Sequence, residues 1–242
     1  MMTEPDTVGA GAVRALGQGF RRVLWLAWIW FSLGVLLFYL KVLNRSSFEG
    51  LENVPASGRV LVVSNHISDL DPVVIPAAIL TRYPTQLIRA VGKAELFRVP
   101  ILRRLIRSYR VISVERSGRD LRAIREIIKA MRSGKVLIFP EGTRTDGGLQ
   151  PGKRPIGGLV HAARPVVIPT VVWGTNRAIP PWELVGKRVR IGQRLGVRFG
   201  KPLDLQGLLD RPSSQETRQA ITDVIMSGIR RLQEEVKAEG RF

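Results

Sequence analysis

The chain has no cysteine and only two histidines, His66 and His161. Disulfides, thiolate zinc sites and cysteine nucleophiles are therefore excluded, and two histidines make a histidine-rich metal site a poor fit. Acidic residues are scarce: 20 Asp and Glu stand against 38 Lys and Arg, a net charge of +18. So large an excess repels itself and calls for an anionic partner: nucleic acid, an anionic membrane or a phosphorylated small substrate. A solvated basic surface is the plainer reading. Aromatics make up 7% of the chain and gather in one apolar run. No aromatic-plus-basic stacking motif appears, which speaks against nucleic acid. What the chain does have, at 242 residues and 45% hydrophobic, is enough apolar side chain for a core. That length fits one large domain, or one domain with an appendage.

The apolar run is Val23 to Leu40, interrupted only by Ser32 and Gly34. As a helix it spans roughly 27 Å, close to the ~30 Å hydrocarbon core of a bilayer. Arg21 and Arg22 precede it; Lys41 and Arg45 follow. It is longer than a signal-peptide core, and no small-x-small cleavage site follows. Trp25, Trp28 and Trp30 beside the flanking arginines resemble an interfacial belt. The expectation is a membrane helix that spans the bilayer or dips into one leaflet; a buried core helix is the competing reading. Residues 1–19, polar and rich in Gly and Ala, predict a frayed start. The division expected is a membrane-anchoring helical segment over 1–45 and an α/β domain over 46–242.

Beyond Pro55 short β-rich runs alternate with helical stretches. The strands expected are Arg59–Ser64, Leu87–Val91, Val111–Val114, Val136–Phe139 and Val166–Val172. The helices expected are Pro72–Leu80, Ile101–Tyr109, Leu121–Met131 and Ile156–Ala163. Such alternation predicts an α/β fold: a mixed, largely parallel central sheet flanked by helices. Arg188–Ile191 and Gly196–Phe199 suggest a late antiparallel pair. A closing helix capped by Ser213 or Ser214 runs to about Glu239, with Ile221, Val224, Ile225, Ile229 and Leu232 at helical spacing.

His66 stands where the run Val60–Val63 ends, and Asp71 follows it just before Pro72. A histidine at a strand-to-helix junction, oriented by a nearby carboxylate, can act as a general base on an alcohol. Asp71 also fits a helix N-cap, since Pro suits the first helical position. Asp69 fits either role, and His66 also fits a satisfied core histidine. Phe139-Pro140-Glu141-Gly142-Thr143-Arg144 follows another strand, on the edge where open α/β sheets bind ligands. Gly142 lets backbone come close to a ligand, and Arg144 offers a planar fork for phosphate. Lys93 and Arg116 follow two further strands. Between Arg82 and Arg116 lie nine Lys or Arg against Glu95 and Glu115. With Val167-Ile168-Pro169, these motifs each end an expected strand, and parallel strand ends converge on one edge.

In this order the motifs resemble the glycerolipid acyltransferase family, and within it the bacterial 1-acyl-sn-glycerol-3-phosphate acyltransferases. Asn65-His66-Ile67-Ser68-Asp69-Leu70-Asp71 is similar to the first family motif and Val114-Glu115-Arg116 to the second. Phe139-Pro140-Glu141-Gly142-Thr143-Arg144 is similar to the third, and Val167-Ile168-Pro169 to the fourth. Lys93-Ala94-Glu95-Leu96 resembles the Lys-x-Glu-Leu element of bacterial members. The resemblance covers roughly residues 46–205. It implies that His66 is the general base on the acceptor hydroxyl, with Asp71 orienting it. It implies that Lys93, Arg116 and Arg144 bind the acceptor phosphate, that Glu141, Gly142 and Thr143 shape that pocket, and that Pro169 lies on the donor side. The reaction implied moves an acyl chain from acyl-CoA or acyl-ACP (acyl carrier protein) to the sn-2 hydroxyl of lysophosphatidic acid, at an anionic membrane. No metal, no cofactor beyond the thioester co-substrate and no covalent acyl-enzyme are implied.

The chain departs from the pattern after Arg144. Thr145-Asp146-Gly147-Gly148 and Pro151-Gly152-Lys153-Arg154-Pro155-Ile156-Gly157 stand where many relatives carry serine and then a lysine-rich, aromatic stretch. The second motif also lacks the glycine and aromatic residues common in relatives. A different acceptor, such as a lyso-ornithine lipid or a glycolipid, is therefore a second reading. A non-catalytic basic membrane-binding protein is a third.

Overall fold

The computed structural model describes residues 7–93, 107–114, 121–153, 155–179 and 189–242. Its centre is a seven-stranded sheet. The strands are β1 (Arg45–Glu49), β2 (Val60–Ser64), β3 (Ile88–Lys93), β4 (Ile112–Val114), β5 (Lys135–Ile138), β6 (Val166–Trp173) and β7 (Arg194–Phe199). Their order across the sheet is β1-β7-β6-β2-β5-β3-β4. Every neighbouring pair is parallel except β6 with β7. The expected mixed, largely parallel sheet is what forms.

The helices are α1 (Thr7–Leu37), which passes into a π-helical turn at Phe38–Leu43, then α2 (Asp71–Arg82), α3 (Leu121–Ser133) and α4 (Pro155–Ala163). Two single turns follow, α5 (Thr175–Ala178) and α6 (Gln206–Leu209), and α7 (Gln215–Ala238) closes the chain. They cover both faces of the sheet. Val60, Val62, Ile168 and Val172 point to one face with Leu33, Leu40 and the apolar side of α2. Leu61, Val63, Val167 and Val171 point to the other, against α3, α4 and α7. Residues of a strand alternate between faces, so covering both faces demands the unbroken apolar runs by which β2 and β6 were recognised. The Ser214 hydroxyl caps α7, accepting the Thr217 N–H at 3.0 Å.

Two sequence expectations change, one strand went unforeseen, and one expected helix lies mostly outside the described residues. Helix α1 begins at Thr7, so residues 7–19 are helical rather than frayed. Val189–Ile191 form no strand; Arg188, the first residue of that expected strand, lies outside the described residues. β7 pairs antiparallel with β6 instead, and parallel with β1 on its other side. β1, with the sequence Arg-Ser-Ser-Phe-Glu, is a polar edge strand and gave no apolar signal. Of the expected helix Ile101–Tyr109 only its last residues are described, with Arg107 and Ser108 helical.

Helix α1 is two-sided. Ile29, Leu33 and, in the π turn, Leu40 are buried against the domain, while Phe20, Val23, Leu24, Phe31, Val35, Phe38 and Val42 are exposed. Arg22–Leu43 is long and apolar enough to cross a membrane. Trp25 and Trp28 turn toward the protein: their indole N–H groups donate to the Ser108 carbonyl at 3.0 Å and the Ser108 hydroxyl at 3.3 Å. Ser32 and Tyr109 share a hydrogen bond of 2.7 Å.

The β1–β7 edge is tied to the end of α7 by charge. Arg198 donates to Glu49 at 2.8 Å and to both Glu239 oxygens at 2.7 and 2.6 Å, and Arg241 pairs with Glu49 and Glu239. Burial pushes the Glu49 carboxyl up, but hydrogen bonds and charge from Arg198 and Arg241 outweigh it and hold the group below its ordinary value. A depressed carboxyl contributes stability above its unfolded pKa, and that contribution is lost as pH falls through the folded value. Glu49→Gln is expected to lower the melting temperature at pH 7 by roughly 2–4 °C. The gap should close as thermal unfolding is followed down to about pH 3. A gap independent of pH would remove this network from the account.

Candidate active site

At the end of β2 the chain leaves the sheet through Ser64 and Asn65, both buried. The Asn65 amide pairs with β6 as a short extra rung. It donates to the Val172 carbonyl at 3.0 Å and accepts the Val172 N–H at 2.8 Å. His66 is thereby set at the C-terminal edge of the sheet.

Asp71 is fully buried, and its carboxylate organises the turn. Oδ2 accepts the N–H groups of Ile67 at 2.7 Å and Ser68 at 2.8 Å, and it lies 2.9 Å from His66 Nδ1. Oδ1 accepts the Thr175 hydroxyl at 2.5 Å. Asp71 is thus the first residue of α2 but reaches back over the turn before it, and it caps no N–H of its own helix. An oxygen already accepting two N–H groups takes a third from Nδ1, which fixes the hydrogen there and leaves Nε2 with its lone pair. The ring stacks on Phe139, centroids 4.1 Å apart and 17° from parallel. Its side chain keeps 17% exposure, so the ring reaches solvent rather than lying wholly inside the core.

The loop after β5 grips His66 by its backbone. Glu141 Oε1 accepts the His66 N–H at 3.0 Å, and the Thr145 N–H donates to the His66 carbonyl at 2.9 Å. Glu141 Oε2 accepts the Gln150 N–H at 2.8 Å. Burial raises the Glu141 carboxyl above its ordinary value, against the two N–H donors that lower it. Arg144 pairs with Asp69, on the same turn as His66. Gly142 takes a left-handed backbone, φ 63°, and the Lys153 side chain lies across it.

His66, Asp71, Glu141, Gly142, Thr143 and Arg144 therefore share one strand-end cluster. Lys93 is the last residue of β3, in register with Val114 of β4. Arg116, two residues further, lies outside the described residues. Pro169 is inside β6, opposite Val63, and lies against Gly200 and Gly228 on the side of α7. Asn65, Phe139, Gln150 and Thr175 carry structural roles that spacing did not assign. Thr175 offered no signal, being 104 residues from Asp71.

A histidine held by a buried carboxylate at a parallel strand end, with cations on the adjoining loop, is an arrangement compatible with acyl transfer. Residues 45–173 match the family model described as Acyltransferase, and the chain belongs to that family. Over 102 residues it is 37% identical to a 1-acyl-sn-glycerol-3-phosphate acyltransferase of Borreliella burgdorferi. That match takes in 41% of this chain and 39% of the relative, so the chain spans about two fifths of that relative's length. The crystal structure of the 1-acyl-sn-glycerophosphate (LPA) acyltransferase PlsC from Thermotoga maritima superposes with a TM-score of 0.58 at 26% identity. The superposition covers 78% of this chain and 73% of that one.

Asp71→Ala is expected to lower unfolding free energy by about 2–3 kcal/mol, because it leaves the buried N–H groups that Oδ2 accepts without a partner. Urea denaturation measures this. In the wild type, ¹⁵N spectra of the His66 ring should show hydrogen on Nδ1; hydrogen on Nε2 would contradict the geometry.

Proposed function

We propose that this protein transfers a fatty acyl chain from acyl-CoA or acyl-ACP to the sn-2 hydroxyl of 1-acyl-glycerol 3-phosphate, lysophosphatidic acid, giving phosphatidic acid. The observation that carries the proposal is the His66 ring, held at Nδ1 by buried Asp71, stacked on Phe139 and reaching solvent. The printed names of the Borreliella and Thermotoga relatives support the acceptor class. In this reading Nε2 accepts the hydroxyl proton as the oxygen attacks the thioester carbonyl carbon. Asp71 stabilises the imidazolium that forms. The C–S bond then breaks, and the leaving thiolate takes the proton back. Lys93, Arg116 and Arg144 supply positive charge for phosphate, Glu141, Gly142 and Thr143 shape the pocket wall, and Pro169 belongs to the donor side. The chemistry is complete with these side chains and the thioester.

The segment through residue 45 serves as a membrane anchor for the α/β domain over 46–242. Its inner face is packed on the domain at Ile29, Leu33 and Leu40 and its outer face is apolar. A helix packed on the domain at these three positions favours insertion into one leaflet over a free span. The basic excess adds attraction to anionic lipid, about 1 kcal/mol per Lys or Arg near the surface. Because acyl thioesters are cytoplasmic, the surface assigned is the cytoplasmic face of the inner membrane.

Purified His66→Ala is expected to lose roughly 10²–10⁴-fold in transfer to lysophosphatidic acid, since a positioned base contributes about that much. Near-normal turnover would end the mechanism. Offering lysophosphatidic acid with a lyso-ornithine lipid and a lysoglycolipid in one assay should give phosphatidic acid as the main product. Preference for an acceptor without phosphate would transfer the assignment to the second reading. Replacing Phe31, Val35 and Phe38 by serine should move the protein from sedimented anionic vesicles to the supernatant without unfolding it. Unchanged co-sedimentation would refute the anchoring face.

A further inference from the structure

Gly142 reads in the sequence as a place where backbone comes close to a ligand. The group that comes close is Lys153. A Cβ built on Gly142 would lie 2.7 Å from Lys153 Nζ and 2.9 Å from its Cδ and Cε. The lysine stem is laid over the left-handed turn, φ 63° at Gly142, a conformation that itself favours glycine, and a side chain there would push the lysine tip aside.

The backbone of Lys153 is fixed as well. Its N–H donates to the Pro140 carbonyl at 2.9 Å, and the Gln150 N–H three residues earlier donates to Glu141 Oε2 at 2.8 Å. Glu141 in turn accepts the His66 N–H at 3.0 Å. One buried carboxylate thus holds together the strand carrying the base and the segment carrying Lys153.

Two cations of this loop, Arg144 and Lys153, differ in what they meet. Arg144 is paired with Asp69. No carboxylate pairs with the Lys153 ammonium among the described residues. The side chain is exposed. An exposed ammonium brought onto the backbone beside the site, with no internal counter-charge, is equipped to meet an external anion.

We infer that Lys153 binds a phosphate group of a substrate, and that Gly142 exists in its left-handed form to let that ammonium into the site. The inference rests on the acyl-transfer reading for the identity of the anion, which is the acceptor head group or the phosphates of coenzyme A. The two sources share the same chemistry and separate kinetically.

Steady-state kinetics of Lys153→Gln test it with two acceptors and two donors. The acceptors are lysophosphatidic acid and monoacylglycerol, which lacks phosphate. The donors are acyl-CoA and the acyl thioester of N-acetylcysteamine, which also lacks it. KM for the phosphate-bearing partner is expected to rise roughly tenfold with kcat little changed. Lys153→Arg should recover most of the loss. A rise limited to lysophosphatidic acid assigns the contact to the head group; a rise limited to acyl-CoA assigns it to the donor. Unchanged KM for both overturns the inference.

A second arm needs no turnover. Inorganic phosphate should raise the melting temperature of the wild type and raise that of Lys153→Gln less. Equal shifts, or none in the wild type, also overturn the inference. If the wild type fails to acylate lysophosphatidic acid, the acyl-transfer reading falls, and the phosphate arm still decides the role of Lys153.

Discussion

A single buried carboxylate, Asp71, sets the geometry on which the rest of the site depends. It takes hydrogen bonds from two backbone N–H groups, one imidazole and one hydroxyl. A carboxylate with no exposure is costly unless its lone pairs are met, and here they are met by the groups that need orienting. The strand-to-helix turn, the ring tautomer and the position of Thr175 are consequences of one demand for solvation. The loop after β5 then attaches to the result: Glu141 and Thr145 bind the two backbone groups of the same histidine.

The core strands were legible in the sequence because they are buried on both faces. Val60–Val63 and Val166–Val172 have to be apolar throughout, and an unbroken run is easy to see. β1 was hidden because it is a polar edge with little to bury. β7 was seen as a strand near its true place, but its partners lie far away in the chain, and nothing local specifies that Arg198 faces Val171. Pairing is a property of the assembled sheet, and short-range pattern carries it only for hairpins.

The site was legible in the same graded way. His66 and Asp71 lie five positions apart, so a turn brings them together whatever the rest of the fold does. Glu141 and Arg144 were recognised by motif, but their work, holding the His66 N–H and pairing with Asp69, depends on two loops meeting. Helix α1 illustrates a different limit. An apolar stretch is the same in sequence whether it faces lipid or protein. In three dimensions the stretch has two sides: Ile29 and Leu33 lie against the domain, and Phe31 and Val35 are exposed.

Thr145 and Gln150 are pinned, one to the His66 carbonyl and one to Glu141, and the residues between them form a short span with both ends nailed down. The middle is held as well: the Gly147 carbonyl accepts the Gln233 side-chain amide of α7 at 3.0 Å, and Leu149 packs on the core beside that helix. The loop is thereby a strut between the imidazole and the closing helix, with its ends and its middle all fastened to parts of the chain remote in sequence.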